Sequence, residues 1–179
     1  MDSWINAQEV KQKMCKRQAP TPIESWTKPS LGRYKCNVDA FFLESLDWVG
    51  IGICIRDEEG GFVLAQTKWF SPMLEVDVGK ALGLLKAMEL VKDIHLWNMD
   101  FKVDSKTVVD SIYDKYGGVS EFSEITNSCK RLLGTDPSNS HVKFVRRQAN
   151  VVAHNLARAA PLKASFRIHY KRNALSLLC

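Results

Sequence analysis

From Tyr34 onward apolar and polar residues alternate, with Tyr34, Cys36 and Val38 on one side and Lys35, Asn37 and Asp39 on the other. A period of two is the geometry of a strand, so Asp39 is expected to project from a β-strand. Trp48 to Ile55 is a nearly continuous apolar run, and after the turn Arg56-Asp57-Glu58-Glu59-Gly60-Gly61 a third strand is expected from Phe62 to Thr67. Three strands joined by short turns predict an antiparallel meander. From about Val78 to Leu96 the period lengthens, with Ala81, Leu84, Leu85, Met88 and Val91 at helical spacing. Phe101 to Val103 reads as a short strand ending in Asp104. Ser105 then caps a helix carrying Val108, Val109 and Ile112, which is expected to stop near Gly117-Gly118. Glu121 to Leu133 forms another amphipathic helix, Asp136-Pro137-Ser138-Asn139 a turn and His141 to Val145 a strand; Asn150 is expected to cap a last helix.

The resulting order, βββαβααβα, describes an α/β fold with a mixed sheet. A meander comes first, and the later strands reach the sheet through helical crossovers and so lie parallel. Ahead of it, residues 2 to about 17 read as a polar helix, followed by prolines 20, 22 and 29 that disfavour helix before each of them. The expected division is a leader and linker over 1–30, one folded domain over 31–165, and a short basic and apolar tail over 166–179.

With 179 residues, 45% apolar and 25% charged, the chain is long enough for one sizeable core. The first twenty-five residues lack the pattern of a signal peptide, and the longest apolar run is too short to span a bilayer. An intracellular protein without a membrane partner is expected, its compartment open between nucleus and cytoplasm. Five scattered cysteines, with no CxxC pair, fit reduced thiols. The net charge of +5 is unevenly spread: residues 141–179 hold eight Lys or Arg and no acid, which leaves a net −3 on the rest. A cationic surface on a mildly acidic body fits a polyanionic partner, although a solvated basic helix would have the same composition.

Ordered motifs add a family resemblance. Trp26-Thr27-Lys28-Pro29, Gly32, and Lys35-Cys36-Asn37-Val38-Asp39 resemble the start of plant ribonuclease H-like domains, a group related to retroelement ribonuclease H. Further matches follow in register: Gly50-Ile51-Gly52 with Ile55-Arg56-Asp57 and Gly60-Gly61; Val103-Asp104-Ser105 with Val108-Val109; and Phe144 to Asn150 with Val152-Ala153-His154 and Leu156-Ala157. The resemblance runs from about Trp26 to Ala160 and implies a ribonuclease H type 1 fold, a five-stranded mixed sheet with helices on both faces.

The resemblance also implies chemistry: hydrolysis of the RNA strand of an RNA/DNA hybrid by two Mg²⁺ ions, or Mn²⁺, held by four carboxylates. Hard oxygen ligands suit these ions, and a metal pair stabilises both attacking and leaving oxygens. By motif, Asp39 and Asp104 occupy two of the four ligand positions. The other two depart from the pattern, with Lys80 where the enzymes carry glutamate and His154 where they carry aspartate. Two aspartates, one ammonium and a neutral imidazole carry a formal −1 against the −4 of the full set, so metal binding is expected to be weak. Lys80 is expected either to pair with Asp39 and Asp104 in place of a metal, to swing aside on its flexible stem, or to lie on the solvent face of its helix. Asp77, three residues earlier, could pair with Lys80 or supply a displaced ligand. Glu89, about 180° round the helix, faces away.

Arg146, Arg147, Asn150 and Arg158 are the candidate nucleic-acid contacts, with His154 and Arg158 sharing a helix face. Trp48 and Trp69 are expected in the core, with base stacking as the alternative. The expected function is a monomeric ribonuclease H-type domain that binds RNA/DNA hybrid or RNA, its hydrolysis lost or feeble. A working metal-dependent endonuclease and a relic or protein-interaction domain are the rivals.

Overall fold

The computed structural model describes residues 25–115, 118–135, 139–160 and 167–170. The expected leader helix and the end of the tail lie outside them. The elements are β1 (Tyr34–Leu43), β2 (Trp48–Arg56), β3 (Phe62–Phe70), α1 (Val76–Asp93), β4 (Met99–Val103), α2 (Lys106–Tyr113), α3 (Glu121–Thr135), β5 (His141–Phe144), α4 (Val151–Ala159) and β6 (Arg167–Tyr170). They build one sheet in the order β5-β4-β1-β2-β3-β6. β1 pairs antiparallel with β2 and parallel with β4, and β5 extends the parallel side. The five strands and the connectivity read from the sequence are all present.

Several boundaries moved for local reasons. α1 stops at Asp93, three residues short of the expected end, because His95 and Asn98 take left-handed backbone (φ 53° and 55°) in the turn to β4. α2 ends at Tyr113, where Asp114 turns extended. β3 runs on to Phe70. A sixth strand, β6, joins Leu64–Thr67 of β3 from the segment read as tail.

The period-two pattern assigns the two faces. Cys36, Val38, Ile51, Ile53 and Ile55 are at most 2% exposed and pack with Ala81, Leu84 and Met88 of α1 in the core. Asn37, Asp39 and Gly52 face the other way, towards α4. Gly52 is the closest approach: a Cβ built there would lie 2.2 Å from the Ala153 carbonyl oxygen and 2.4 Å from the Ala157 nitrogen. The backbone of α4 therefore rests directly on β2, with fully buried Ala153 and Ala157 four residues apart as its contact stripe. Gly52→Val is expected to lower stability by about 3 kcal/mol or more by lifting α4 off the sheet. Denaturant unfolding of the variant checks this; a loss below about 1 kcal/mol would mean that α4 docks some other way.

Asn150 secures the same helix. It occupies the cap position, yet its side chain makes no capping bond. Its amide instead donates to the Val38 carbonyl at 2.9 Å and accepts from the Asn37 amide at 2.8 Å. At 1% exposure these bonds satisfy a buried polar group and fix the start of α4 over β1. Ser105, by contrast, caps α2 as expected, its hydroxyl accepting from the Val108 N–H.

Candidate functional site

Parallel pairing of β1 with β4, with Val38 opposite Val103, carries Asp39 and the residue just past β4, Asp104, to adjacent positions at the same end of the sheet. The first turns of α1 bring Lys80 to this point, and α4 brings His154. The Lys80 ammonium donates to Asp39 Oδ1 and to Asp104 Oδ1, the second bond being 2.7 Å long. His154 Nδ1 lies 2.8 Å from Asp39 Oδ2; because a carboxylate only accepts, the proton is on Nδ1. Asp39 Oδ1 also receives the Ala40 N–H at 2.8 Å. Both oxygens of Asp39 are thus engaged by the protein itself.

Burial makes these contacts strong. The side chain of Asp39 is fully buried, and those of Asp104, Lys80 and His154 are 9%, 14% and 18% exposed. Loss of water around Asp104 raises its pKa above the usual carboxylate value; the Lys80 hydrogen bond opposes this, and the charge on Asp39 adds to the rise.

Of the outcomes open to Lys80, the ion pair with both aspartates is the one found. Asp77 is exposed in the first turn of α1 and makes no bond to Lys80. Glu89 pairs with Lys86, away from the site. Among the described residues, no group of three or more His, Cys, Asp and Glu is arranged to hold a metal ion. An ammonium bonded to both carboxylates fills the gap between them with the wrong sign of charge, so the residues present do not fit a pair of divalent ions.

The basic candidates divide. Arg146, Arg147 and Arg158 are exposed, and two of them reach the site: Arg147 Nη2 comes within 3.5 Å of His154 Nδ1, and Arg158 lies over Phe41. Asn150 must be corrected: buried between β1 and α4, its amide has no edge left for a ligand. Phe41 was not anticipated. It lies two residues beyond Asp39 on the same face, with the His154 ring edge-on at 6.2 Å and the Arg158 guanidinium 5.6 Å from its ring centre. Position i+2 from a site aspartate was the signal available for it. Trp48 and Trp69 are not core residues either: they stack at 4.7 Å, and Trp69 is 39% exposed.

A family model described as reverse transcriptase-like matches residues 37–160. Similar solved structures include RNase H1 from the halophilic archaeon Halobacterium salinarum, at 18% identity and TM-score 0.66, covering 74% of this chain and 100% of that one. The N-terminal RNase H domain of Rv2228c from Mycobacterium tuberculosis, at 17% identity and TM-score 0.62, covers 72% and 92%. LC11-RNase H1, isolated from compost and solved in complex with an RNA/DNA hybrid, gives 17% identity and TM-score 0.62 over 72% and 96%. No curated protein sequence matches the chain significantly.

Proposed function

The chain belongs to the reverse transcriptase-like family, with the ribonuclease H fold, and from that premise we propose that it binds RNA/DNA hybrid or structured RNA while hydrolysing it feebly or not at all. The observation that carries this reading is the ammonium of Lys80 held by both aspartates at the place where the family keeps metal. Asp39 and Asp104 are the surviving ligand positions in this proposal, Lys80 and His154 the lost ones. A metal ion entering the site would have to displace Lys80 from both carboxylates and break the bond from His154 to Asp39.

Binding does not depend on that site alone. Backbone and 2′-hydroxyl contacts dominate recognition of such duplexes; Arg147 and Arg158 supply exposed cations beside the site, and Arg146 is exposed next to Arg147 in the chain. The neighbour solved with an RNA/DNA hybrid supports the choice of ligand. Fluorescence anisotropy with a labelled hybrid is expected to show affinity falling steeply as salt rises, while the hybrid stays intact in Mg²⁺ or Mn²⁺. Rapid cleavage would overturn the hydrolytic half of the proposal. Absence of salt-dependent binding would overturn the other half and leave a protein-interaction role.

A further inference from the structure

Beyond Asp39, the face of the sheet that carries α4 turns aromatic. Residues directly opposite on antiparallel strands point to the same side, and register sets Phe41 beside Gly50 and Gly50 beside Trp69, with Leu43 beside Trp48 in the next row. Strands lie about 4.8 Å apart, so Phe41 and Trp69 stand roughly 10 Å from one another across a glycine that puts no side chain between them. Trp48 reaches diagonally onto Trp69, the two rings stacked at 4.7 Å and 29°. Three aromatic rings thus gather at one end of the sheet, on the side of the charged centre.

Packing of the core does not account for them. Phe41, Trp48 and Trp69 all lie outside the hydrophobic core cluster, which forms on the opposite face against α1. Trp48 covers one face of the Trp69 ring, yet Trp69 keeps 39% of its surface in water. Apolar surface left open in this way beside polar groups is the mark of a contact site, and a flat π surface selects a flat partner.

Observed contacts join this surface to the Asp39 centre. The His154 ring, whose Nδ1 is bonded to Asp39, meets Phe41 edge-on at 6.2 Å. On the same ring, 5.6 Å from its centre, lies the guanidinium of Arg158, an exposed residue of α4. Phe41 therefore carries the connection from the aspartate centre to the row that ends in Trp69. An exposed indole pair with a guanidinium close by has the chemistry of a nucleotide subsite, the ring taking the base and the cation the phosphate. A paired base hides both its faces against its neighbours in the duplex, so the base that such a ring can take is an unpaired one.

We infer that Trp69, backed by Trp48, is a stacking platform for an unpaired base of nucleic acid, with Arg158 beside Phe41 as the cation for its phosphate. It deepens the binding reading and rests on it. The preferred ligand is then a hybrid or structured RNA that continues into single strand, in place of a blunt duplex.

The test compares, by fluorescence anisotropy, the affinity for a labelled hybrid with single-stranded extensions at both ends and for the same hybrid with abasic extensions. Both ligands carry the same phosphates, so the ratio of affinities reports the bases alone. Wild type is expected to bind the base-bearing ligand roughly 5- to 150-fold more tightly, the effect of one stacked base. Trp69→Leu keeps an apolar cover on the sheet and removes the π surface; it is expected to bind both ligands equally, while Trp69→Phe restores part of the preference. Equal affinities in the wild type that fall with rising salt overturn the inference and leave the proposed function standing. A preference that survives undiminished in Trp69→Leu overturns the inference as well, because the base then stacks elsewhere. Salt-independent binding by the wild type overturns both. Should Trp69→Leu fail to fold, Trp69→Phe must still show a smaller ratio than the wild type, its ring being smaller, and an unchanged ratio overturns the inference.

Discussion

Lys80→Glu/His154→Asp is expected to take up Mg²⁺ or Mn²⁺ with a saturable heat, where the wild type gives heat of dilution only. The change restores four carboxylates around a point where the wild type has two, and it moves the formal charge from −1 to −4. At about 4 Å and an effective dielectric near 20, a pair of unit charges interacts by roughly 4 kcal/mol, and an ammonium repels a divalent ion by about twice that. Even a small part of this difference, about 2.8 kcal/mol, is a hundredfold in affinity. Because metal-free carboxylates at this spacing repel one another, the double variant should also melt below the wild type without metal and gain stability as metal is added. Thermal shift thus gives a second readout that needs no catalysis. Hybrid cleavage is expected to appear in the variant at least a hundredfold above the wild type. Equal heats, or equal cleavage rates, in the two proteins would remove Lys80 as the cause of impairment.

What the sequence revealed and what it hid divide along physical lines. The alternation around Asp39 is a property of one strand, and a period of two cannot be satisfied any other way once one face is buried. Lys80 was identifiable because its charge is wrong for its motif, and charge is visible without coordinates. Its choice of partner was not: a lysine stem reaches several acids, and only the pairing of β1 with β4 puts Asp39 and Asp104 within one ammonium's grasp while Asp77 stays in water. Asn150 failed for a different reason. Asparagine at a helix start is as suited to capping as to bridging, and the bridge needs Asn37 from a residue 113 positions away. β6 has four residues, too few for periodicity to register, and its place is set by the open edge of β3. Trp26 sits in a proline-bounded stretch that reads as linker, yet its indole N–H donates to Asn37 and its ring receives two cations from the sheet.

Replacing Lys80 by Met should be the most damaging single change at the site, and the damage should depend on pH. Methionine matches the stem in length and fills its path, so the loss is the ammonium alone. Two buried carboxylates would then face each other without their shared cation, a situation that costs about 3–5 kcal/mol when one partner of a buried ion pair is removed. For a domain of this size that lowers the melting temperature by roughly 6–20 °C. The exposed pair Lys106–Asp110, with side chains 75% and 62% accessible, provides the control: Lys106→Met should cost under about 1 kcal/mol. Acid should rescue the Lys80 variant. The Asp104 carboxyl is already raised above its ordinary value by burial, with Lys80 the main opposing influence, so removing Lys80 lets it rise further. A raised carboxyl binds more protons in the folded than in the unfolded chain between its ordinary value and its folded value. Stability therefore increases as pH falls through that window, and the penalty is complete above it. Denaturant unfolding at pH 7.5 and pH 5.5 is expected to show the deficit relative to wild type narrowing at the lower pH. A deficit that stayed constant, or one no larger than that of Lys106→Met, would mean that the ammonium does not hold the two aspartates together.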